Sequence, residues 1–233
     1  MREHLVFTLA AQMAAMGEFA GHERRGTWSW PGRSAIVGLL GAALGLRRDD
    51  DFSGLDALSM AVAVFDEGAH LRDYHTVATV PSARVRAPQS RPEALRIAGR
   101  EANTTITHRD YRVGVLYGVA LWGGALEPVR DALQRPGFVL YLGRKACPLS
   151  APCAPRIVSA LDAPRALEQV QLPPWRTGAM AHLLATEEDV EGGRIEQRHD
   201  RILDRRLWHF GQRGVRLRAV DFKPVSVGRE WQK

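Results

Sequence analysis

Three stretches of the chain carry side chains whose types and spacing can do chemistry. In the first, Glu23-Arg24-Arg25-Gly26 and Trp28-Ser29-Trp30-Pro31 lead into Arg33 at the start of an apolar segment. Helix starts expose unpaired N–H groups and partial positive charge, so Arg24, Arg25 and Arg33 converge in sequence on a natural phosphate seat. Trp28 and Trp30 offer faces on which a base can stack. The alternative is a solvated basic loop whose tryptophans are pinned to the core. The second stretch is a pair of similar clusters, Arg72-Asp73-Tyr74-His75-Thr76 and Thr107-His108-Arg109-Asp110-Tyr111. A ribonuclease could use one imidazole to take a 2′-hydroxyl proton and the other to protonate the leaving oxygen; the alternative is hydrogen-bonding histidines at strand ends. In the third, Tyr141-Leu142-Gly143-Arg144-Lys145, a strand breaks at glycine into two adjacent cations that can clamp a phosphate, or form a plain charged turn.

The elements that must position these groups are legible from periodicity. Leu5, Phe7 and Leu9 alternate with Val6, Thr8 and Ala10, a strand pattern. A Gly- and Arg-rich loop over 17–32 delivers the chain into a helix from Arg33 to Leu44, with Gly45 where a C′ glycine ends it. Met60, Val62 and Val64 alternate with Ala61, Ala63 and Phe65 as a second strand, and an extended stretch runs from Leu71 to Val80. Between Pro81 and Thr104 the sequence turns polar and Arg-dotted without a consistent period, which reads as a surface insertion that buries little and orders on a partner. A strand from about Tyr111 to Leu121, a helix from Leu126 to Gln134 with Pro128 in its first turn, and a strand over Phe138 to Leu142 follow. Strand, helix, strand, insertion, strand, helix, strand is the ferredoxin-like split arrangement common among RNA-binding folds. The fold class expected is therefore α+β. Beyond Arg144 the signals shorten to a strand over Met180 to Leu184 and a hairpin of Arg206 to Phe210 with Gly214 to Val220, turning at Gly211-Gln212-Arg213-Gly214.

Composition narrows the function classes. With 45% hydrophobic and 25% charged residues in 233, the chain buries a substantial core. A net charge of +6 suits a polyanionic partner. Of the 32 basic residues 29 are Arg, the exceptions being Lys145, Lys223 and Lys233. Arg pairs bidentately with phosphate and stacks on bases, although an Arg-rich genome would give the same bias. Cys147 and Cys153 lack a second Cys or His cluster at zinc-module spacing and read as reduced thiols of a cytoplasmic protein; neither a metal nor a cofactor is expected. The first 20 residues carry Arg2, Glu3, Gln12 and Glu18 and are poor for a secretory signal, and the longest apolar run, Ala35 to Leu46, has 12 residues where a membrane span needs about 20. The glycines of that run lie inside a helix rather than in a GxGxxG loop, and no GKS, GKT, GxSxG or HExxH string occurs.

Several segments together resemble a known family. The string Arg33 to Asp50, then Leu71-Arg72-Asp73-Tyr74-His75-Thr76-Val77, Arg109-Asp110-Tyr111 leading to Val119-Ala120-Leu121-Trp122, Tyr141 to Leu149, and Gly228-Arg229-Glu230-Trp231 are similar, in the same order, to the Cas-five family (RAMP superfamily) subunit of type I-E CRISPR surveillance complexes. The Trp usual in the early loop is Met16 here, the helix start reads Pro31-Gly32-Arg33-Ser34, and the insertion over about 76–108 matches in position more than in sequence.

The resemblance implies a ferredoxin-like (RRM-like) RAMP domain over residues 1–145 with a projecting thumb hairpin at about 76–108, and a smaller β-rich C-terminal part over 146–233. It implies a non-catalytic subunit that binds the 5′ handle of the crRNA and caps the backbone. The RNA-binding set that follows is Arg24, Arg25, Trp30, Arg33, Ser34, Arg47, Arg48, Tyr74, His75, His108, Arg109, Arg144 and Lys145. The implied partners are the crRNA, the large PAM-recognising subunit, the terminal backbone subunit and, through the complex, target DNA at the PAM-proximal end; no membrane is involved. Two other functions are compatible with the residues: a metal-independent endoribonuclease that processes precursor crRNA, as relatives in type I-C systems do, and a generic RNA-binding domain.

Overall fold

A computed structural model of the chain describes residues 1–225 except 19, 20, 22, 82, 84 and 208. His22, Arg84 and the resembling string at 228–231 lie outside the described residues. In chain order the elements are β1 (Arg2–Ala14), β2 (Arg24–Arg25), α1 (Arg33–Ala43), α2 (Ser53–Asp56), β3 (Ser59–Asp66), β4 (Ala69–Thr79), α3 (Arg91–Ala98), β5 (Asn103–Trp122), α4 (Glu127–Gln134), β6 (Arg156–Ala160), α5 (Ala163–Leu167), β7 (Ala181–Thr186), β8 (Arg194–Asp204) and β9 (His209–Phe222).

Strand alternation builds two cores on one sheet. Leu5, Phe7 and Leu9 of β1, with Met60, Val62 and Val64 of β3 and Tyr117, Val119 and Leu121 of β5, pack under α1 and α4. The intervening Val6, Ala10, Ala61, Ala63, Leu116 and Ala120 face α5 on the other side. A sheet covered on both faces needs apolar residues at nearly every position, which is why these segments read as continuous apolar runs. The strand order is β6-β1-β5-β3-β7-β9-β8, with β2 and β4 added on β5, and every pairing along the path is antiparallel. The sheet crosses the boundary expected near residue 145, since β6 and β7 pair with β1 and β3.

The end of α1 follows the sequence closely. Gly45 has φ +75°, Leu46 N–H donates to Gly41 O at 2.8 Å and Gly45 N–H to Ala42 O at 3.2 Å, the paired bonds of a Schellman motif. Gly41 is where the Phe52 ring packs, since a Cβ there would lie 2.3 Å from Phe52 Cε1.

Three expectations are corrected. Phe138 to Leu142 is not a strand: Gly137 and Phe138 donate to Ala43 O and Ala42 O at 2.8 and 3.0 Å, so this backbone caps α1, and only Tyr141 makes an isolated bridge, to Pro148. The fourth strand is instead β6, paired with β1 from Arg2↔Ala160 to Val6↔Arg156. The carboxy-terminal hairpin turns between Asp204 and His209, not at 211–214. Gly211 and Gly214 lie inside β9, where a Cβ would come within 3.2 Å of Leu203 and 3.4 Å of Ile195, so these glycines make room for cross-strand side chains rather than a turn. Third, the insertion is not without period, because it holds α3. Ser90 Oγ accepts from Glu93 N–H at 3.4 Å and Glu93 Oε2 accepts from Gln89 N–H at 3.0 Å, a Ser-x-x-Glu start signal with Pro92 in the first turn. Val85, Ala94 and Ala98 form a small core of their own under it.

The insertion stands on a long ribbon. β4 and β5 pair from Ala69↔Val113 to Thr79↔Asn103, while the rest of β5 stays in the sheet against β1 and β3. The strand changes partners at Gly114, φ +82°, opposite Gly68, φ +71°. A Cβ on Gly68 would sit 2.6 Å from Val113 O, so the close crossing at the ribbon root excludes a side chain.

Candidate nucleic-acid interface

The ribbon register sorts the polar clusters onto two faces, because directly opposed residues share a face and neighbours along a strand alternate. Arg72↔Asp110 and Tyr74↔His108 fall on one face, Asp73↔Arg109 and His75↔Thr107 on the other. β2 continues the array on the far edge of β5 in parallel, with Arg24 beside His108 and Arg25 beside Arg109, tied by His108 N–H to Glu23 O at 2.6 Å.

On the first face Asp110, with a side chain 1% exposed, is the hub. Its carboxylate accepts from Arg24 Nε at 2.9 Å and Arg72 Nε at 2.7 Å, and His70 Nε2 lies 3.5 Å away. The hydrogen bond from Arg72, then the bond and charge of Arg24, hold this carboxyl far below the usual carboxylate range against the opposing effect of burial. One acid thus fixes two guanidiniums, and Arg24 and Arg72 still present 59% and 47% of their side chains to solvent. Tyr74, 67% exposed, stands beside His108 as an open aromatic face.

On the second face the Gly143 turn docks. Gly143 has φ +81° and its hydrogen lies against Ala15 O, where a Cβ would be 1.6 Å away. That contact delivers the Arg144 guanidinium 4.4 Å over the Tyr111 ring, donating to Asp110 O at 3.2 Å and Arg25 O at 3.3 Å. Arg25, Arg109 and Arg144 therefore gather beside exposed Lys145, and Arg109 Nε is buried with no hydrogen-bond partner among the described residues.

Arg33 does not join this group. Its side chain is only 12% exposed, and the guanidinium pairs with Glu187 at 3.0 Å while its other nitrogen donates to Asp56 O at 2.6 Å. The amino end of α1 is filled by the protein itself: Asp200 Oδ2 accepts the Arg33 N–H at 2.7 Å and is held by Arg213 at 2.8 Å. Trp30 is buried, 3% exposed, with the Arg198 guanidinium 4.2 Å over it and 3.7 Å over Trp28. Ser34 lines a cavity next to this group. Arg47 and Arg48 sit exposed after α1, where Arg47 N–H is taken by Asp50 and Arg48 Nη2 by Arg206 O. His75, 3.1 Å from Asp73, and His108 occupy opposite faces of the ribbon.

Arg72 and Asp110 as a clamp, and the group of Glu187, Arg198, Asp200 and Arg213, were not singled out from sequence. The clamp has a signal: two Arg-Asp dipeptides paired antiparallel place each Arg opposite an Asp, Arg72 with Asp110 and Asp73 with Arg109. The second group has none, because its acids come from the end of β7 and from β8 to meet Arg33 at the start of α1 from 154 and 167 positions away.

Among the described residues no group of three or more His, Cys, Asp or Glu is placed to hold a metal, and no helix is long and apolar enough to cross a membrane. Residues 4–216 match the family described as CRISPR-associated protein (Cas_Cas5). The CRISPR system Cascade subunit CasD of Escherichia coli (strain K12) is 35% identical over 185 residues, 72% of this chain and 76% of that protein. A chain of a solved CRISPR RNA-guided surveillance complex has the same fold, with TM-score 0.69, 24% identity and coverage of 98% of this chain and 96% of its own. A crystal structure of a Cas protein gives TM-score 0.57 and 26% identity over 95% of each chain.

Proposed function

The chain belongs to the CRISPR-associated Cas5 family, and from that premise we propose that it is the subunit of a type I-E surveillance complex that grips the 5′ handle of the crRNA and caps the backbone without cutting. The observation that carries this reading is the ribbon root, where the Asp110 carboxylate holds Arg24 and Arg72 on one face beside Tyr74 and His108, and Arg25, Arg109 and Arg144 gather on the other. Arginines held at fixed positions but still half exposed are what a folded single strand of phosphates needs. The order β6-β1-β5-β3, with helices after β1 and β5, supports a ferredoxin-like body, and the β4–β5 ribbon with α3 supports a thumb.

A non-catalytic role is supported by the ribbon register, since His75 and His108 on opposite faces cannot flank one phosphodiester as base and acid. The partners that fit are the large PAM-recognising subunit and the terminal backbone subunit, with target DNA met at the PAM-proximal end through the complex, in the cytoplasm.

The test is Arg25→Ala with Arg109→Ala and Arg144→Ala, titrated against handle-bearing RNA across a salt series. Each lost phosphate contact on a single strand removes about 0.7 from the slope of log affinity on log salt, so the triple variant flattens it by about 2. Unchanged affinity and slope, at an unchanged melting temperature, removes the ribbon root from the interface.

A further inference from the structure

The ribbon leaves the body through two glycines. β3 turns into β4 at Asp66, Glu67 and Gly68, and β5 passes from ribbon to sheet at Gly114, both glycines at positive φ. Glycines at such a crossing can change φ and ψ at little steric cost, so a two-stranded arm pivots there. The two edges of the root are held unequally. The β5 edge is stitched to the body by Met13 and Ala14 of β1, opposite Val113 and Arg112, by β2 and by Arg144 donating to Asp110 O. β4 pairs with β5 alone.

The start of β4 is met by Arg176, in the turn Pro174–Arg176 after α5. Its Nη2 donates to Asp66 Oδ2 at 2.5 Å and its Nη1 reaches Gly114 O at 3.5 Å, while Asp66 Oδ1 accepts the Gly68 N–H at 2.8 Å. One guanidinium thus ties both crossing points. Its own end is fixed: Val170 and Leu172 are buried in the core beside α5, and Pro173 and Pro174 restrict the backbone. The turn closes with Arg176 N–H on Pro173 O at 2.8 Å and Ala179 N–H on Arg176 O at 3.0 Å. The Arg176 and Asp66 side chains are 30% and 40% exposed, and a pair this open contributes little to overall stability. We propose that Arg176 is a positioning residue: it braces the β4 edge of the ribbon against the body and so fixes the angle at which the insertion, Arg72 and Tyr74 stand to Arg25 and Arg144. This rests on the RNA-gripping reading above and adds to it the residue that aligns two groups of contacts on one strand. Without the brace the ribbon pivots about its β5 edge, and only the fraction of chains at the right angle is ready to bind.

Spin labels at Gln89→Cys on the insertion and Gln134→Cys on α4, both exposed positions, report the angle as a distance distribution in the RNA-free full chain, where the native Cys147 and Cys153 are buried. Arg176→Ala should broaden that distribution at an unchanged circular dichroism spectrum. It should also weaken binding of handle-bearing RNA about 2- to 5-fold, the worth of a partly exposed ion pair. Arg176→Lys, which keeps a cation for Asp66, should restore both. Salt at about 1 M screens such a pair, so it should broaden the distribution of the unsubstituted chain and leave that of Arg176→Ala as it is. A distribution as narrow in Arg176→Ala as in the unsubstituted chain, or one that broadens with RNA affinity unchanged, overturns the brace. No RNA enters the distance measurement, so its failure strikes the brace alone, whereas an unaltered salt slope in the Arg25, Arg109 and Arg144 triple variant strikes the RNA-gripping reading.

Discussion

Replacing the hub of the ribbon root, Asp110→Asn, isolates what the charge of that carboxylate does while keeping its shape. Asp110 is 1% exposed and takes hydrogen bonds from two guanidiniums. Bonds to charged groups contribute about 1.5–3 kcal/mol each, but Arg24 and Arg72 are 59% and 47% exposed, and water rehydrates them when the charge is removed. The amide oxygen also keeps one acceptor. The expected loss is therefore about 2 kcal/mol, about 4–8 °C in melting temperature for a chain of this size. It is read from urea midpoints at constant slope. The pH dependence supplies a second check. The folded carboxyl titrates below its unfolded value of about 3.9, so its stabilisation is complete above that value and is lost as pH falls through the depressed folded one. The gap between wild type and variant should stay constant from about pH 5 to 8 and close in stronger acid. A gap under about 0.5 kcal/mol at pH 7, or one that widens on acidification, refutes the clamp.

Gly143→Ala puts a Cβ on Ala15 O at a left-handed backbone position; it should cost more than 1 kcal/mol and weaken handle binding by displacing Arg144, and unchanged binding disproves that seating. Gly41→Ala collides with the Phe52 ring, with an expected loss of about 1–3 kcal/mol in chemical denaturation and no change in the salt slope of RNA binding. Burial pushes the Cys153 thiol up to about 12 and raises that of Cys147 as well, so neither should react with a thiol reagent at pH 8 until the chain is unfolded; rapid labelling of the native chain contradicts this burial. Replacing 81–104 with a Gly-Ser linker should leave the body folded, since α3 packs on its own small core, while hydrogen exchange in that segment should slow on assembly with guide RNA; equal protection in both states makes it a core element.

Much of the body was legible in the sequence because its determinants are local. The two-residue alternation of β1, β3 and β5, the helix from Arg33 and the glycine that ends it each follow from short-range sterics and burial, and the structure returns them with small shifts of boundary. The Arg-Asp dipeptides on either side of the insertion, and Gly143 ahead of Arg144, lay in the segments read as polar clusters, and the ribbon root assembles from them.

What tertiary structure decided is which neighbours those groups meet. Whether Phe138 to Leu142 joins the sheet depends on which backbone the last carbonyls of α1 capture, and Gly137 and Phe138 are captured before a strand can form. Whether the amino end of α1 is open to a phosphate depends on β8, which carries Asp200 onto the Arg33 N–H from 167 residues away. Composition and spacing identify Arg33 as a cation at a helix start, but only the sheet order places an acid there, and a buried cation pairs with the nearest fixed carboxylate because desolvation leaves it no cheaper state. The same packing holds Trp30 against Arg198 and leaves Arg24, Arg25, Arg109 and Arg144 wholly or partly exposed, so arginines alike in sequence divide into those closed inside the protein and those that still reach solvent.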